Sequence, residues 1–286
     1  MNIILGLVMF GVALEIAVPD LKKIWKSPKP LLVGVLSQFL LLPLVTFILV
    51  YILKPIPSIA LGMFMVAACP GGNISNFISY LAKANTALSI SLTAVATLMA
   101  IVMTPLNFHF WSMLYPPSIP LIREISINSL EMVELVSLIL GLPLIAGLYV
   151  HHVAPTLAMK LSRILKTVSL FFFISLVFIA LYKNLDIFKN YIFYVFWIVL
   201  IHNFLAFATG FSVSKVFGLS KADTRAITIE TGIQNSGLGL LLIFTFFKGL
   251  GGMALLAAFW GIWHMVSGLL LATFWNFSTL EKRLKI

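Results

Sequence analysis

The sequence has too little cysteine and too little charge for a disulfide-rich secreted protein or an ordinary soluble enzyme. Its 286 residues include a single cysteine, Cys69, so an intramolecular disulfide and a cysteine-rich metal site are excluded. Charged residues make up 10% of the chain, whereas 61% is hydrophobic and the mean hydropathy is +1.09. A soluble domain of this length could not bury so much apolar surface, so lipid must be its main solvent.

Long apolar windows run through the whole chain, and each is long enough to cross a bilayer as a helix. The first window is read as a retained helix, because no clear signal-peptidase site follows it. The sequence therefore predicts an all-α polytopic membrane protein with nine transmembrane helices, at about residues 2–18, 31–53, 58–82, 85–107, 130–150, 166–182, 190–214, 222–247 and 252–275.

Basic residues are concentrated in alternate loops between these windows. If the loop Lys22–Lys29 is cytoplasmic, 14 of the 19 Lys and Arg residues lie inside and five lie outside. This bias predicts a multi-pass protein of the plasma membrane, most simply a bacterial inner membrane, with its N-terminus outside and its C-terminus in the cytoplasm. The net charge of +10 then reflects membrane topology, and neither nucleic acid nor a protein partner is predicted.

A polar stretch, Glu230–Ser236, interrupts one apolar window. Glu230 is the only charged residue between Arg225 and Lys248, and glycines accompany it. A carboxylate in hydrocarbon carries a large free-energy cost, so such a group usually marks an ion or substrate pathway. A helix that glycine residues interrupt beside carboxylate and amide ligands is what a transporter uses to hold a cation at the membrane midplane.

A second interruption, Pro70–Asn76, lies in an earlier window. Proline and two glycines cannot continue a regular helix there. A simple proline kink would also explain this pattern, but Asn73, Ser75 and Asn76 add more polar groups than a kink needs. Because the two interrupted windows run in opposite directions, the sequence predicts an inverted repeat with two crossing broken helices, divided as residues 1–115 and 116–286.

Two hydroxyls in the helix after the first interruption share a face. Ser89 and Thr93 are four residues apart. Such hydroxyls often bond the carbonyl of their own helix, which is the alternative interpretation. Beside Glu230, Ser75 and Asn76 they form an all-oxygen ligand set that suits a hard monovalent cation such as sodium, although Glu230 could instead carry a proton.

Enzymatic chemistry is disfavoured by the same residues. Glu230 has no second intramembrane carboxylate, and Cys69 has no obvious histidine partner for nucleophilic catalysis. His264 lies near the middle of the last predicted helix, where it is either packed in the protein or a donor that lines a cavity.

With these motifs in place, the chain resembles the bile acid:sodium symporter (BASS) family. The resemblance rests on Ser37–Phe39, Cys69–Asn76, Asn85–Ser89 with Thr93, and Glu230–Ser236. It implies a core domain of about residues 58–107 and 190–275 with helix 31–53, and a panel domain of the other helices. Compared with ten-helix bacterial members, the first repeat lacks its first helix.

The resemblance also implies roles for individual residues. One sodium ion would be bound by Ser75, Asn76, Ser89, Thr93 and Glu230. A second would be bound by Gln38, Glu230, Gln234 and the backbone carbonyls of Thr231 and Ile233. The substrate side would be lined by Asn235 and His264, with Asn73 influencing which substrate is preferred.

The expected function is sodium-coupled import of an organic anion by alternating access, with two sodium ions and either a bile-acid-like substrate or a smaller carboxylate. The alternative is a proton-coupled or uniport carrier of small anions with the same architecture, in which Glu230 titrates.

Overall fold

The computed structural model describes residues 2–14, 28–124, 129–183 and 185–284, and regular secondary structure in these ranges is helical. Up to residue 113 the helices are α1 (Asn2–Ala13), α2 (Pro28–Leu53), α3 (Pro57–Ala68), α4 (Asn73–Leu81) and α5 (Thr86–Met113). The later helices are α6 (Ile119–Glu124), α7 (Ser129–Val153), α8 (Pro155–Lys183), α9 (Leu185–Val216), α10 (Lys221–Gly232), α11 (Ser236–Phe246) and α12 (Gly251–Leu284).

Within the residues that the structure describes, four helical segments are both long and apolar enough to cross a membrane: Pro28–Leu53, Thr86–Met113, Lys189–Val216 and Gly251–Asn276. Shorter apolar helices accompany them. Large apolar side chains also face outward, among them Phe193, Phe204 and Phe274. These features agree with the predicted all-α membrane protein, while the count of nine crossings stays a prediction.

Several predicted helix ends differ from the structure, for example where the helices extend to Met113 and Leu284 beyond the predicted 107 and 275. The window 2–18 corresponds to a helix that ends at Ala13, and residues 15–27, with most of the first basic loop, lie outside the described residues. The predicted windows leave 151–165 as a basic loop, but the structure continues as helix from Pro155. Proline is well placed there, because the first helical position needs no backbone N–H donor.

Helix α2 contains one π-helical turn, Ser37–Leu41, which carries Gln38. Pro43 follows four residues after Phe39 and has no N–H to donate to the Phe39 carbonyl. The side-chain amide of Asn107, on α5, donates to that carbonyl instead, at 3.0 Å. A π-helical turn inside an α-helix often marks a functional site, and here it contains a predicted cation ligand.

The two interrupted windows are two broken helices whose breaks lie against each other. The first break separates α3 from α4, and the second separates α10 from α11. Gly72 N donates to Ile233 O (3.2 Å) and Asn235 N donates to Pro70 O (2.8 Å), which forms an antiparallel bridge between Gly71 and Gln234. The unwound backbone groups of each break thus bond the other break, as buried backbone at membrane depth requires.

The largest buried cluster holds the broken helices against α12. Ten residues of α3, Ile59 to Ala68, are buried, and Trp260 of α12 is fully enclosed. Contact between α3 and α12 is close, because a Cβ built on Gly62 would be 3.0 Å from Met253 Cα. This packing fixes the first break in the protein interior, beside the second.

Candidate cation and substrate sites

Glu230 lies on the last turns of α10 and is fully buried. Its Oε1 atom accepts from three hydroxyls: Ser75 Oγ at 2.5 Å, Ser89 Oγ at 2.6 Å and Thr93 Oγ1 at 2.9 Å. Ser75 comes from the first turn of α4, while Ser89 and Thr93 come from one face of α5. The structure therefore brings three of the residues expected at the first cation site, Ser75, Ser89 and Thr93, to one oxygen atom of Glu230.

This site has more short oxygen–oxygen contacts than it has hydroxyl hydrogens to form hydrogen bonds between them. Ser89 Oγ is 2.8 Å and Thr93 Oγ1 is 3.1 Å from Asn76 Oδ1, and Ser75 Oγ is 2.6 Å from Gly72 O. With the Glu230 contacts and the contact from Thr93 to Ser89 O, seven short oxygen–oxygen contacts share three hydroxyl hydrogens. An oxygen cluster poor in hydrogens suits a hard cation.

The other carboxylate oxygen of Glu230 faces the first helix break. A Cβ built on Gly71 would overlap Glu230 Oε2 and lie 3.4 Å from Gln38 Nε2, so only glycine fits between them. Gly71 N donates to Gln38 Oε1 at 3.3 Å. Neither Glu230 Oε2 nor Gln38 Nε2 has a hydrogen-bond partner among the described residues. The two oxygens of Glu230 thus face different surroundings.

The remaining residues of the expected second cation site follow Glu230 along the second break. Gln234 Nε2 donates to Thr231 O at 2.8 Å, and Ile233 O accepts from Gly72 N. Each carbonyl has two lone pairs, so each keeps one beyond these bonds. Gln234 Oε1 is buried and lacks a hydrogen-bond partner in the described part of the chain.

A cavity of about 540 Å³ lies beside the crossing, and Gly72, Ile233 and Gln234 of the two breaks line part of it. The three residues expected on the substrate side, Asn73, Asn235 and His264, all line it. Its other walls are mostly apolar and come from α1, α8, α11 and α12, for example at Val8, Val12, Phe172, Leu241 and Met265. The first residues of α4 and α11 also reach this cavity, and helix N-termini favour negative charge.

Two further side chains bond the last carbonyls before the breaks, a role that the sequence pattern did not predict. Thr104 Oγ1 donates to Ala68 O, at the end of α3, at 2.8 Å. Asn203 Nδ2 donates to Gly232 O, at the end of α10, also at 2.8 Å. For Asn203 a sequence signal was available, because Asn203-Phe204-Leu205 resembles Gln38-Phe39-Leu40. Both carboxamides form a hydrogen bond with the backbone of a break.

A transition metal prefers His, Cys, Asp and Glu side chains as its ligands. Among the residues that the structure describes, no group of three or more His, Cys, Asp or Glu side chains is placed to hold a metal ion. Cys69 is free and buried at the first break. His202, next to Asn203, forms a hydrogen bond with Thr46 Oγ1 through Nε2 at 2.7 Å. It is not among the residues that donate to Glu230 Oε1.

Comparison with known proteins identifies the family. The sequence model of the sodium bile acid symporter family matches residues 2–191. The chain belongs to this family. It is 33% identical over 282 residues to an uncharacterized sodium-dependent transporter, YocS, of Bacillus subtilis (strain 168), and the match covers 99% of this chain and 84% of the relative.

Plant and animal proteins are also similar. The chain is 30% identical over 273 residues to the probable chloroplastic sodium/metabolite cotransporter BASS1 of Arabidopsis thaliana, covering 95% of this chain but only 65% of that protein. It is 30% identical over 244 residues to the human ileal sodium/bile acid cotransporter, covering 83% and 67% respectively. Family membership therefore places this chain among multi-pass membrane transporters.

Proposed function

We propose that this protein imports an organic anion coupled to two sodium ions by alternating access, and that both ions bind the carboxylate of Glu230. The observation that carries this proposal is the buried carboxylate, which gathers three hydroxyls on Oε1 while Oε2 faces a helix break. A buried charge is stable only when another charge compensates it. A cation bound among these oxygens supplies that compensation.

The first sodium ion binds on the Oε1 side. Its ligands are Glu230, the hydroxyls of Ser75, Ser89 and Thr93, and Asn76 Oδ1, since these oxygens already lie within 3.1 Å of one another along their hydrogen bonds. The ligands come from three helices, α4, α5 and α10. Binding of the ion therefore holds the two broken helices together.

The second sodium ion binds on the Oε2 side. Gln38 lies there across Gly71, and Gln234 offers a buried carbonyl oxygen without a hydrogen-bond partner among the described residues. The backbone carbonyls of Thr231 and Ile233 complete the ligand set. This ion would join α2 to the second break, so each ion links a different pair of elements.

The substrate binds in the cavity beside the crossing. Its anionic group lies at the N-terminal ends of α4 and α11, near Asn73, Asn235 and His264, and its apolar part packs on the walls from α1 and α8. A bile-acid-like anion or a smaller carboxylate fits this chemistry. Because Ile233 and Gln234, two of the proposed ligands of the second cation, also line this cavity, cation binding shapes the wall that the anion contacts.

Transport follows from relative movement of two domains that meet at this cavity. The broken helices, with α2, α5, α9 and α12, form the core of an inverted repeat, and the remaining helices form the panel. With nine crossings the N-terminus lies outside and the C-terminus inside. Two sodium ions and one monovalent anion carry one net positive charge inward, which a membrane potential drives by about 2.3 kcal/mol per 100 mV.

Sodium binding to the purified protein tests this proposal and does not require the substrate. Thermal unfolding is measured in detergent while sodium chloride replaces choline chloride at constant ionic strength. Wild-type protein should be stabilised progressively by sodium, because a ligand that binds only the folded state raises its stability. Glu230→Gln keeps the side-chain shape but removes the charge, and should abolish this response.

Glu134→Gln is the matched control, because it removes a carboxylate from an exposed position. It should leave the response to sodium unchanged. Uptake of labelled taurocholate and of pantoate into proteoliposomes, driven by a sodium gradient, then tests coupling. Uptake driven by a pH gradient in sodium-free buffer would instead favour the proton-coupled or uniport alternative.

A further inference from the structure

A pair of hydroxyls ties the turn that carries Gln38 to the turn that carries Glu230. Ser37 Oγ and Thr231 Oγ1 lie 2.8 Å apart, although 194 residues separate them in the sequence. Both side chains are fully buried. This hydrogen bond joins α2, at its π-helical turn, to the end of α10.

The position of the pair relates it to the carboxylate. Ser37 directly precedes Gln38, and Thr231 directly follows Glu230, so each hydroxyl is one residue from a group that faces Gly71. Neither hydroxyl is among the three that donate to Glu230 Oε1. The pair thus affects the cation site through the backbone that it holds in place.

Helix α9 closes the other side of Thr231. A Cβ built on Gly210 would be 2.9 Å from Thr231 Oγ1 and 2.8 Å from Ile227 O, so the backbones of α9 and α10 are in close contact there. Thr231 is therefore held between the Ser37 hydroxyl and the Gly210 backbone. If the hydroxyl bond is lost, the π-helical turn keeps its bonds to Asn107 and Gly71 but loses this bond to the end of α10.

We propose that Ser37 is a positioning residue for the cation site, and that it sets sodium affinity by fixing the π-helical turn against the end of α10. This inference rests on the proposed sodium site at Glu230. Cation affinity depends on ligands held at fixed distances, and Gln38 and Glu230 come from different helices. The Ser37–Thr231 bond holds that distance without contributing a ligand.

The test compares variants that remove the hydroxyl with one that keeps it. Ser37→Ala and Thr231→Val each remove one hydroxyl, and each should raise the half-saturating sodium concentration roughly three- to ten-fold in thermal unfolding. Thr231→Ser keeps the hydroxyl, so its half-saturating sodium concentration should lie clearly closer to that of the wild type than the value for Thr231→Val does. The double variant should be no worse than either single variant, because both remove the same bond.

Ser137→Ala is the matched control, since its hydroxyl also joins two helices, by donating to Ile101 O at 2.9 Å. It should leave the half-saturating sodium concentration unchanged. The inference is overturned if Ser37→Ala and Thr231→Val lower only the sodium-free melting temperature, or if their effects on sodium affinity add. Should the wild type itself not respond to sodium, the proposed sodium site fails as well.

Discussion

Gly71→Ala adds a single methyl group between the carboxylate and the carboxamide that define the second cation site. That methyl would overlap Glu230 Oε2 and lie 3.2 Å from the Glu230 carbonyl oxygen. Among the described glycines only Gly218 and Gly249 have positive φ, so the effect at Gly71 is one of space, not of backbone strain. The side chain of Glu230 must move to make room.

The size of the effect follows from what holds Glu230 in place. Moving its carboxylate lengthens the bonds from Ser75, Ser89 and Thr93 to Oε1. A hydrogen bond to a charged group contributes about 1.5–3 kcal/mol, so losing one such bond weakens sodium binding by roughly 10- to 100-fold. Sodium titration of thermal unfolding measures this change directly.

Gly72→Ala is a stringent control, because it adds the same methyl group to the next residue of the same break. Gly72 has φ −104° and ψ 159°, which alanine adopts readily, and its nearest non-neighbour atoms would be 3.6 Å from the new Cβ. Sodium affinity should therefore stay close to that of the wild type. Equal losses in both variants, or none in Gly71→Ala, would refute the assignment of a cation site to the Glu230 carboxylate.

Two further predictions concern hydrogen bonds at the crossing. Ser89→Ala removes a hydrogen bond to Glu230 and should weaken sodium binding about ten-fold. Ser91→Ala is the control, because the Ser91 hydroxyl bonds Ala87 O in the same helix, and it should leave sodium binding unchanged. Equal sodium titration curves for the two variants would contradict this prediction. Asn203→Ala leaves the buried Gly232 carbonyl without its donor and should lower the free energy of unfolding by about 1–3 kcal/mol in sodium-free buffer. Denaturant unfolding measures this change, and an unchanged free energy of unfolding would show that the bond does not contribute to stability.

Much of the candidate site could be predicted because its residues violate local rules of membrane helices. A carboxylate between apolar residues, and a proline with two glycines in a spanning window, are visible before the fold is considered. The spacing of Ser89 and Thr93 also fixes that they share a face. These local signals led to the residues that gather around Glu230 Oε1.

Other contacts left no such signal. Asn107 bonds the Phe39 carbonyl that Pro43 leaves without a donor, and Thr104 bonds Ala68 O. Helical periodicity indicates which face a residue occupies, but not which helix packs there. The same limit hid the contact between Ser37 and Thr231.

The amino-acid sequence alone determined that this is a membrane protein, that two of its helices are interrupted, and that one carboxylate lies within an apolar segment. Composition, backbone chemistry and helical spacing are sufficient for that, because each acts within a few residues. Only the tertiary structure decided that the two breaks bond each other and that the two oxygens of Glu230 face different neighbours. Those arrangements depend on packing between helices that are distant in the sequence, where no local rule selects the partner.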